Sequence, residues 1–281
     1  MLRTVLLPTD LGDGATLMMG CATGLPALGV KRIVLTHVVD PSGMEGPVIA
    51  ARIDQVRGRL RAFAKPLEDA GLYVQTRIPT GDPQEQVLAL AYEMQVDAIV
   101  CASHGRGVVD QLFLGSVSDR VLRDSRVPRL AARFDLLRNA ADPAAMCRTF
   151  ASKLLVPTDF SATSMRAFLT ALDLPVTAVG TMYLLHAIDP SLSGEKRRKA
   201  EEGAEFELKN LCEMAGERSI NARPVIGMAE PAHAILAEID ERRITGVVIG
   251  TRGRSPLQEA LLGSVSMTLL RQASCPVMVV S

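Results

Sequence analysis

The chain says the same thing twice, and that repetition limits its fold more than any single motif. Leu7-Pro8-Thr9-Asp10 recurs as Val156-Pro157-Thr158-Asp159. Asp10 and Asp159, His37 and His186, and Pro41 and Pro190 each differ by 149 positions. Pro83 and Pro231, Gly105 and Gly253, Gly115 and Gly263, and Pro128 and Pro276 each differ by 148. One register therefore runs through both halves, with a net one-residue deletion between Pro190 and Pro231. This is a tandem duplication, and both copies must fold alike.

Composition narrows what the copies can be. A chain of 281 residues fits two domains of ordinary size. The division reads as domain one over 1–133, a linker over 134–150 and domain two over 151–281. Hydrophobic residues make up 48% and aromatic residues 4%, so both cores must be aliphatic. Net formal charge is zero, which predicts no basic stripe for nucleic acid. Cys21, Cys101, Cys147, Cys212 and Cys275 form no close pair in sequence and no CxxC, so neither a disulfide framework nor a zinc site is expected. A reducing compartment is favoured. The N-terminus lacks a signal-peptide core. The uncharged stretch 14–30 is broken by Gly20, Gly24, Pro26 and Gly29, and its counterpart carries Arg166 and Asp173, so no membrane span is expected. The predicted location is cytoplasmic.

Each half alternates short β-branched runs with longer helical patterns. Strands are predicted at Thr4–Pro8, Arg32–Val39, Tyr73–Pro79, Ala98–Ala102 and Pro128–Arg133. Helices are predicted at Ala15–Leu28, Val48–Ala70, Pro83–Gln95 and Ser116–Ser125. The second half repeats the strands at Lys153–Pro157, Gly180–His186, Asn221–Gly227, Gly246–Gly250 and Pro276–Val280. Such alternation implies right-handed crossovers and an open, Rossmann-like parallel sheet with helices on both faces. Residues 134–150 have no strand pattern and no counterpart inside the repeat, which makes them the linker.

Ligands of such sheets settle at the carboxyl ends of the strands, where the strand order reverses. Three repeated features fall there. Asp10 and Asp159 end the first strand, the segments from His37 and His186 end the second, and glycine loops follow the fourth. In the second half Gly250 and Gly253 permit close backbone approach. Gly263-Ser264 then opens a helix whose leading N–H groups favour phosphate, and Ser264 and Ser266 can add hydroxyl bonds. Ordinary turns followed by a helix cap explain one such loop equally well. Two at the same spacing favour phosphate binding.

Leu-Pro-Thr-Asp near the start, histidine at the second strand end and G-x-x-G-(nine residues)-G-[ST] before the last helix together resemble the universal stress protein family. The resemblance covers both halves and leaves out the linker. It implies two tandem five-stranded α/β domains of the adenine nucleotide alpha hydrolase-like type, paired about a pseudo-two-fold through their last strands. The pairing would mimic a family dimer within one chain, and a homodimer of the chain is also open. The family's ATP-binding branch implies ATP or another adenine nucleotide, with Mg, held chiefly by backbone groups. In the second half Gly250, Gly253, Gly263, Ser264 and Val265 match its phosphate and ribose positions, and Asp159 and Ala187 its adenine and ribose side. In the first half Asp10, Val38, Gly105, Gly115, Ser116 and Val117 match. Ala102 stands where the first glycine is expected, so the second site is expected to be the main one.

Competing motifs fail against the repeat. Gly12-Asp13-Gly14 hints at a dinucleotide loop, but Leu17 replaces its third glycine and the second half has no equivalent. No P-loop is present. His37 and His186, flanked by apolar residues, read as hydrogen-bonded structural histidines. His104 faces Arg252 in the other copy, His233 reads as a surface residue, and Glu195–Glu202 as a solvated helix face. No catalytic constellation recurs, so the expectation is a nucleotide-binding regulator with a protein partner, not an enzyme, and with at most slow ATP hydrolysis. A scaffold that binds no nucleotide and an enzyme acting on adenine nucleotides are the alternatives.

Overall fold

A computed structural model describes residues 2–103, 116–251 and 262–281. The chain divides into two compact units, Met1–Arg148 and Thr149–Ser281. In the first, β1 (Thr4–Pro8), α1 (Asp13–Ala22), β2 (Arg32–Thr36), α2 (Gly46–Asp69), β3 (Tyr73–Arg77), α3 (Pro83–Glu93), β4 (Ala98–Ser103), α4 (Ser116–Asp124) and β5 (Arg129–Arg133) follow in order. The strands lie β3-β2-β1-β4-β5, all described pairings parallel. The direction of winding reverses between β1 and β4, and their carboxyl ends frame the crevice.

The second unit repeats this with β6 (Lys153–Pro157), α7 (Ala162–Leu172), β7 (Thr181–Ala187), α8 (Gly194–Glu217), β8 (Ala222–Gly227), α9 (Pro231–Arg242), β9 (Gly246–Gly250), α10 (Ser264–Gln272) and β10 (Val277–Val280). Its order is β8-β7-β6-β9-β10, again parallel. Strand β9 is buried along its whole length, as a central strand covered on both faces must be. Each expected strand is present. Strand β2 is shorter than expected: its continuous pairing with β1 and β3 stops at Thr36, and beyond it Val39 makes only an isolated bridge to Thr80.

Local chemistry sets the helix starts. Asp82 accepts from the N–H groups of Gln84 and Glu85 at 3.0 and 2.9 Å, with Pro83 opening α3. Ser161 caps α7 by accepting from Ser164 N–H at 3.2 Å. Along α8, Glu195–Lys199, Arg197–Glu201 and Arg198–Glu202 pair one turn apart, so the charged run is a solvated face. His233 is exposed. No pattern in the sequence pointed to Arg129, which lies fully buried at the start of β5. Its guanidinium donates to the Ser125 and Val127 carbonyls, and burial draws its pKa down to about 10.

The segment expected to be a plain linker is folded. Residues 134–148 form α5 (Phe134–Asn139) and α6 (Pro143–Arg148), which pack on α1 and belong to the first unit. Space for this strap comes from small residues on and after α1. A Cβ on Gly14 would fall 2.4 Å from Phe134 Cε2, and one on Gly24 would fall 2.1 Å from the Ala144 carbonyl oxygen. The strap's far end is tied down by Asp142, which accepts from Arg148 at 2.6 Å and from Ala144 N–H at 3.0 Å. Arg148 accordingly holds the Asp142 carboxyl below the ordinary range.

Candidate functional site

Both copies build the first strand end in the same way. Asp10 accepts from Gly12 N–H at 2.8 Å, and Asp159 accepts from Ser161 N–H at 3.1 Å. The residue spanned by each of these bonds is forced into the left-handed region, with φ of 60° at Leu11 and 62° at Phe160. Two non-glycine residues at equivalent positions hold this uncommon conformation. In the first unit Arg59 of α2 grips the Leu11 carbonyl.

The repeated histidines pin the first strand end to the second. Nδ1 of His37 lies 2.8 Å from the Thr9 carbonyl oxygen, and Nδ1 of His186 lies 2.8 Å from that of Thr158. Phe160 stacks on His186 with centroids 4.5 Å apart. These contacts account for both rings structurally. One residue on, Val38 is nearly buried and Ala187 is half-buried. Asp40 and Asp189 then close small turns on Ser42 and Ser191, and these hydrogen bonds lower both carboxyl pKa values.

Between the carboxyl ends of β1, β2 and β4, the first unit holds an open-mouthed cavity of about 450 Å³. Asp10, Val38, Ala102 and Val117 line it, which brings four positions singled out from sequence onto one surface. Met18, Val87 and Val121 make its walls apolar, while Asp10 and Ser118 supply polar groups. Gly14 and Phe134 close one side, so the strap contributes a wall the repeat does not provide. The volume falls in the range of small-molecule sites. Mostly apolar walls with a few polar groups are the usual make-up of such sites. Three residues matched to the family's nucleotide positions, Asp10, Val38 and Val117, thus share one cavity.

In the second unit, Gly250 ends β9 and is fully buried. Its lack of a side chain has a packing cause: a Cβ there would lie 2.9 Å from Thr163 Cγ2 and 3.0 Å from the Thr163 carbonyl oxygen. Gly263 caps α10, and its N–H donates to the Thr251 carbonyl at 2.7 Å, closing the loop base. Ser264 is exposed and Val265 half-buried on the first turn of α10, whose leading N–H groups have no partner within the helix. Ser266 differs from expectation. It is buried at 2% exposure, and its hydroxyl donates to the Gly250 carbonyl at 2.8 Å. That bond makes it a brace between α10 and β9 rather than a rim donor.

Gly105, Gly115, Gly253 and His104 lie outside the described residues, and Ser116 is described only as the first residue of α4. Three features had little signal in the sequence. The left-handed Leu11 and Phe160 carry none, since neither residue favours that conformation. Phe134 lies outside the repeat. The swap of Gly14 and Ala102 for Thr163 and Gly250 was visible only as two separate differences. Among the described residues, no cluster of three or more His, Cys, Asp or Glu could hold a metal ion. No helix among them is long and apolar enough to cross a membrane.

Comparison with known proteins fits this architecture. The model of the universal stress protein family matches residues 1–133 and again 151–281, which leaves out the strap. Universal stress protein YxiE of Bacillus subtilis is 31% identical over 145 residues, covering 46% of this chain and 98% of its own length. A universal stress protein of Mycolicibacterium smegmatis is 26% identical over 268 residues, covering 88% of this chain and 86% of its own. The crystal structure of a universal stress protein from Archaeoglobus fulgidus covers 100% of this chain and 99% of that one, with 24% identity and a TM-score of 0.76.

Proposed function

The chain belongs to the universal stress protein family through both of its halves, and on that premise we propose that it binds adenine nucleotide and acts as a regulator rather than an enzyme. Nucleotide occupancy would bias a surface read by a protein partner in the cytoplasm, which requires the ligand to favour one of two conformations. The observation that carries this reading is the cavity of about 450 Å³ on Asp10, Val38 and Val117 at the carboxyl ends of the first sheet. Its apolar walls suit a purine, and the helix start at Ser116 suits phosphate with any Mg the phosphates bring.

The expected preference for the second site rested on the methyl group of Ala102. Glycine at position 14, where the second half has Thr163, lacks the Cγ2 that would lie 2.9 Å from a Cβ at Gly250, so that side-chain contact has no counterpart in the first half. With Ala102 itself lining the cavity, both halves are proposed as nucleotide sites. A scaffold without nucleotide is the second reading, favoured by one observation: Asp10, Asp159 and the Gly263 N–H already have partners inside their own loops.

The two readings part on a direct measurement. One portion of purified protein is denatured and any released nucleotide identified; a second, refolded and freed of nucleotide, is titrated calorimetrically with ATP, ADP and AMP, with and without Mg. Retained nucleotide or saturable heat supports the regulator. If neither is seen, the scaffold stands.

A further inference from the structure

Two cysteines that are 126 positions apart in sequence meet in the core of the first unit. Sγ of Cys21 on α1 and Sγ of Cys147 on α6 are 2.6 Å apart, and the residues are 0% and 2% exposed. That separation exceeds a disulfide bond of about 2.05 Å by only half an ångström or so. Both are free thiols. Neither belongs to the candidate nucleotide site, and the second half has Thr170 where Cys21 stands in the first. Cys147 lies on the strap, which the family match omits.

We propose that Cys21 and Cys147 form a modification site, in which a hydroperoxide joins them as a disulfide that fastens the strap over α1. The step balances with one equivalent of hydrogen peroxide. The thiolate of Cys147 attacks one peroxide oxygen and the O–O bond breaks; a sulfenic acid forms, and the departing hydroxide takes up the proton the thiol had released and becomes water. The sulfur of Cys21 then attacks the sulfenic sulfur; the S–S bond forms, the S–O bond breaks, and a second water leaves. Two electrons pass from the thiol pair to the peroxide.

The strap's position gates the reaction. While it is closed, the hydrogen bond with Cys21 and burial together push the Cys147 thiol well above its ordinary pKa, so little nucleophilic thiolate exists. Short helices held at their ends open locally far more readily than a whole domain unfolds. Lifting α6 exposes Cys147 and frees it to ionise, and closing it returns the oxidised sulfur to Cys21. The bond then locks α6, and through the adjoining α5 it holds Phe134 against Gly14 at the cavity wall. Slower exchange of a first-site nucleotide follows, a consequence that rests on the nucleotide reading, whereas the cross-link does not.

The test is peptide mapping of the full-length protein after hydrogen peroxide treatment. Expected are a loss of the mass of two hydrogen atoms, a peptide joining Cys21 to Cys147 that dithiothreitol releases, and several-fold slower proteolysis within 134–148. Cys147→Ala should abolish all three. Half-buried Cys212 on α8 reports that the oxidant acted. If Cys212 is oxidised while Cys21 and Cys147 both stay open to alkylation on unfolding, or become separate sulfinic acids, the proposal fails. Should Cys147→Ala not fold, the wild-type map decides alone. A mapped cross-link in a protein that binds no nucleotide would refute only the nucleotide reading.

Discussion

The main-chain carbonyl oxygen of Thr163 sits 3.0 Å from where a Cβ on Gly250 would be. Helix α7 thus presses onto the end of β9 so closely that only glycine fits there without movement. In the first unit the equivalent pair is Gly14 and Ala102, both lining the cavity. The small residue has changed sides. We expect Gly250→Ala to cost about 1–3 kcal/mol through overpacking. Adding Thr163→Gly removes the Cγ2 that would lie 2.9 Å from the new Cβ and leaves the carbonyl in place, so it should recover part of that loss, despite about 1 kcal/mol of helix propensity. A double-mutant cycle by denaturant unfolding should show favourable coupling of about 1 kcal/mol; additive losses would contradict the packing account.

Ser264 and Ser266 should separate binding from stability. Ser264→Ala alters an exposed hydroxyl on the first turn of α10, so it should weaken nucleotide binding in calorimetry and leave the melting temperature unchanged. Ser266→Ala leaves the buried Gly250 carbonyl without its donor and should cost about 1–2 kcal/mol in unfolding experiments. Reversed effects would place Ser266, not Ser264, at the rim.

The histidine pins should be unequal. His37→Ala removes one hydrogen bond, worth about 1 kcal/mol. His186→Ala also loses the stack on Phe160, worth about 0.5–1.5 kcal/mol more. Unfolding curves for the two variants should differ in that order.

Buried thiols should make the fold sensitive to alkali. Burial pushes Cys101 and Cys275 up to about 12. In the unfolded chain they ionise near their ordinary value of about 9, so above that pH the unfolded state binds fewer protons than the folded one. Stability is therefore full below about pH 9 and falls as pH rises toward about 12, by up to roughly 1.4 kcal/mol per pH unit per thiol. Denaturant midpoints measured across this range should decline, and Cys275→Ala should flatten the slope.

The sequence disclosed what repetition can disclose. Pairing of Asp10 with Asp159 and of His37 with His186 located the strand ends, because each residue makes the same local bond in both copies. Strand limits at Thr4–Pro8, Lys153–Pro157 and Gly246–Gly250 followed from bounded apolar runs. Long-range packing was not legible. Ser266 looks like any helix-start serine until β9 is seen behind it. Cys21 and Cys147 have no proximity in sequence, and nothing in the repeat shows that Thr163 packs against Gly250.

The strap also sets where the first unit can be cut. Gly14, Gly20 and Gly24 are the glycines on or just after α1 where an added Cβ would meet residues 134–148. Their counterparts in the other half are Thr163, Leu169 and Asp173, full-sized residues on or at the end of α7. The three glycines therefore fit α1 to the strap that lies on it. The family match ends at residue 133, but the unit that folds ends at Arg148. Cutting the chain at residue 133 would strip the wall that Phe134 gives the cavity and bare a helix whose glycines have no side chains to cover it.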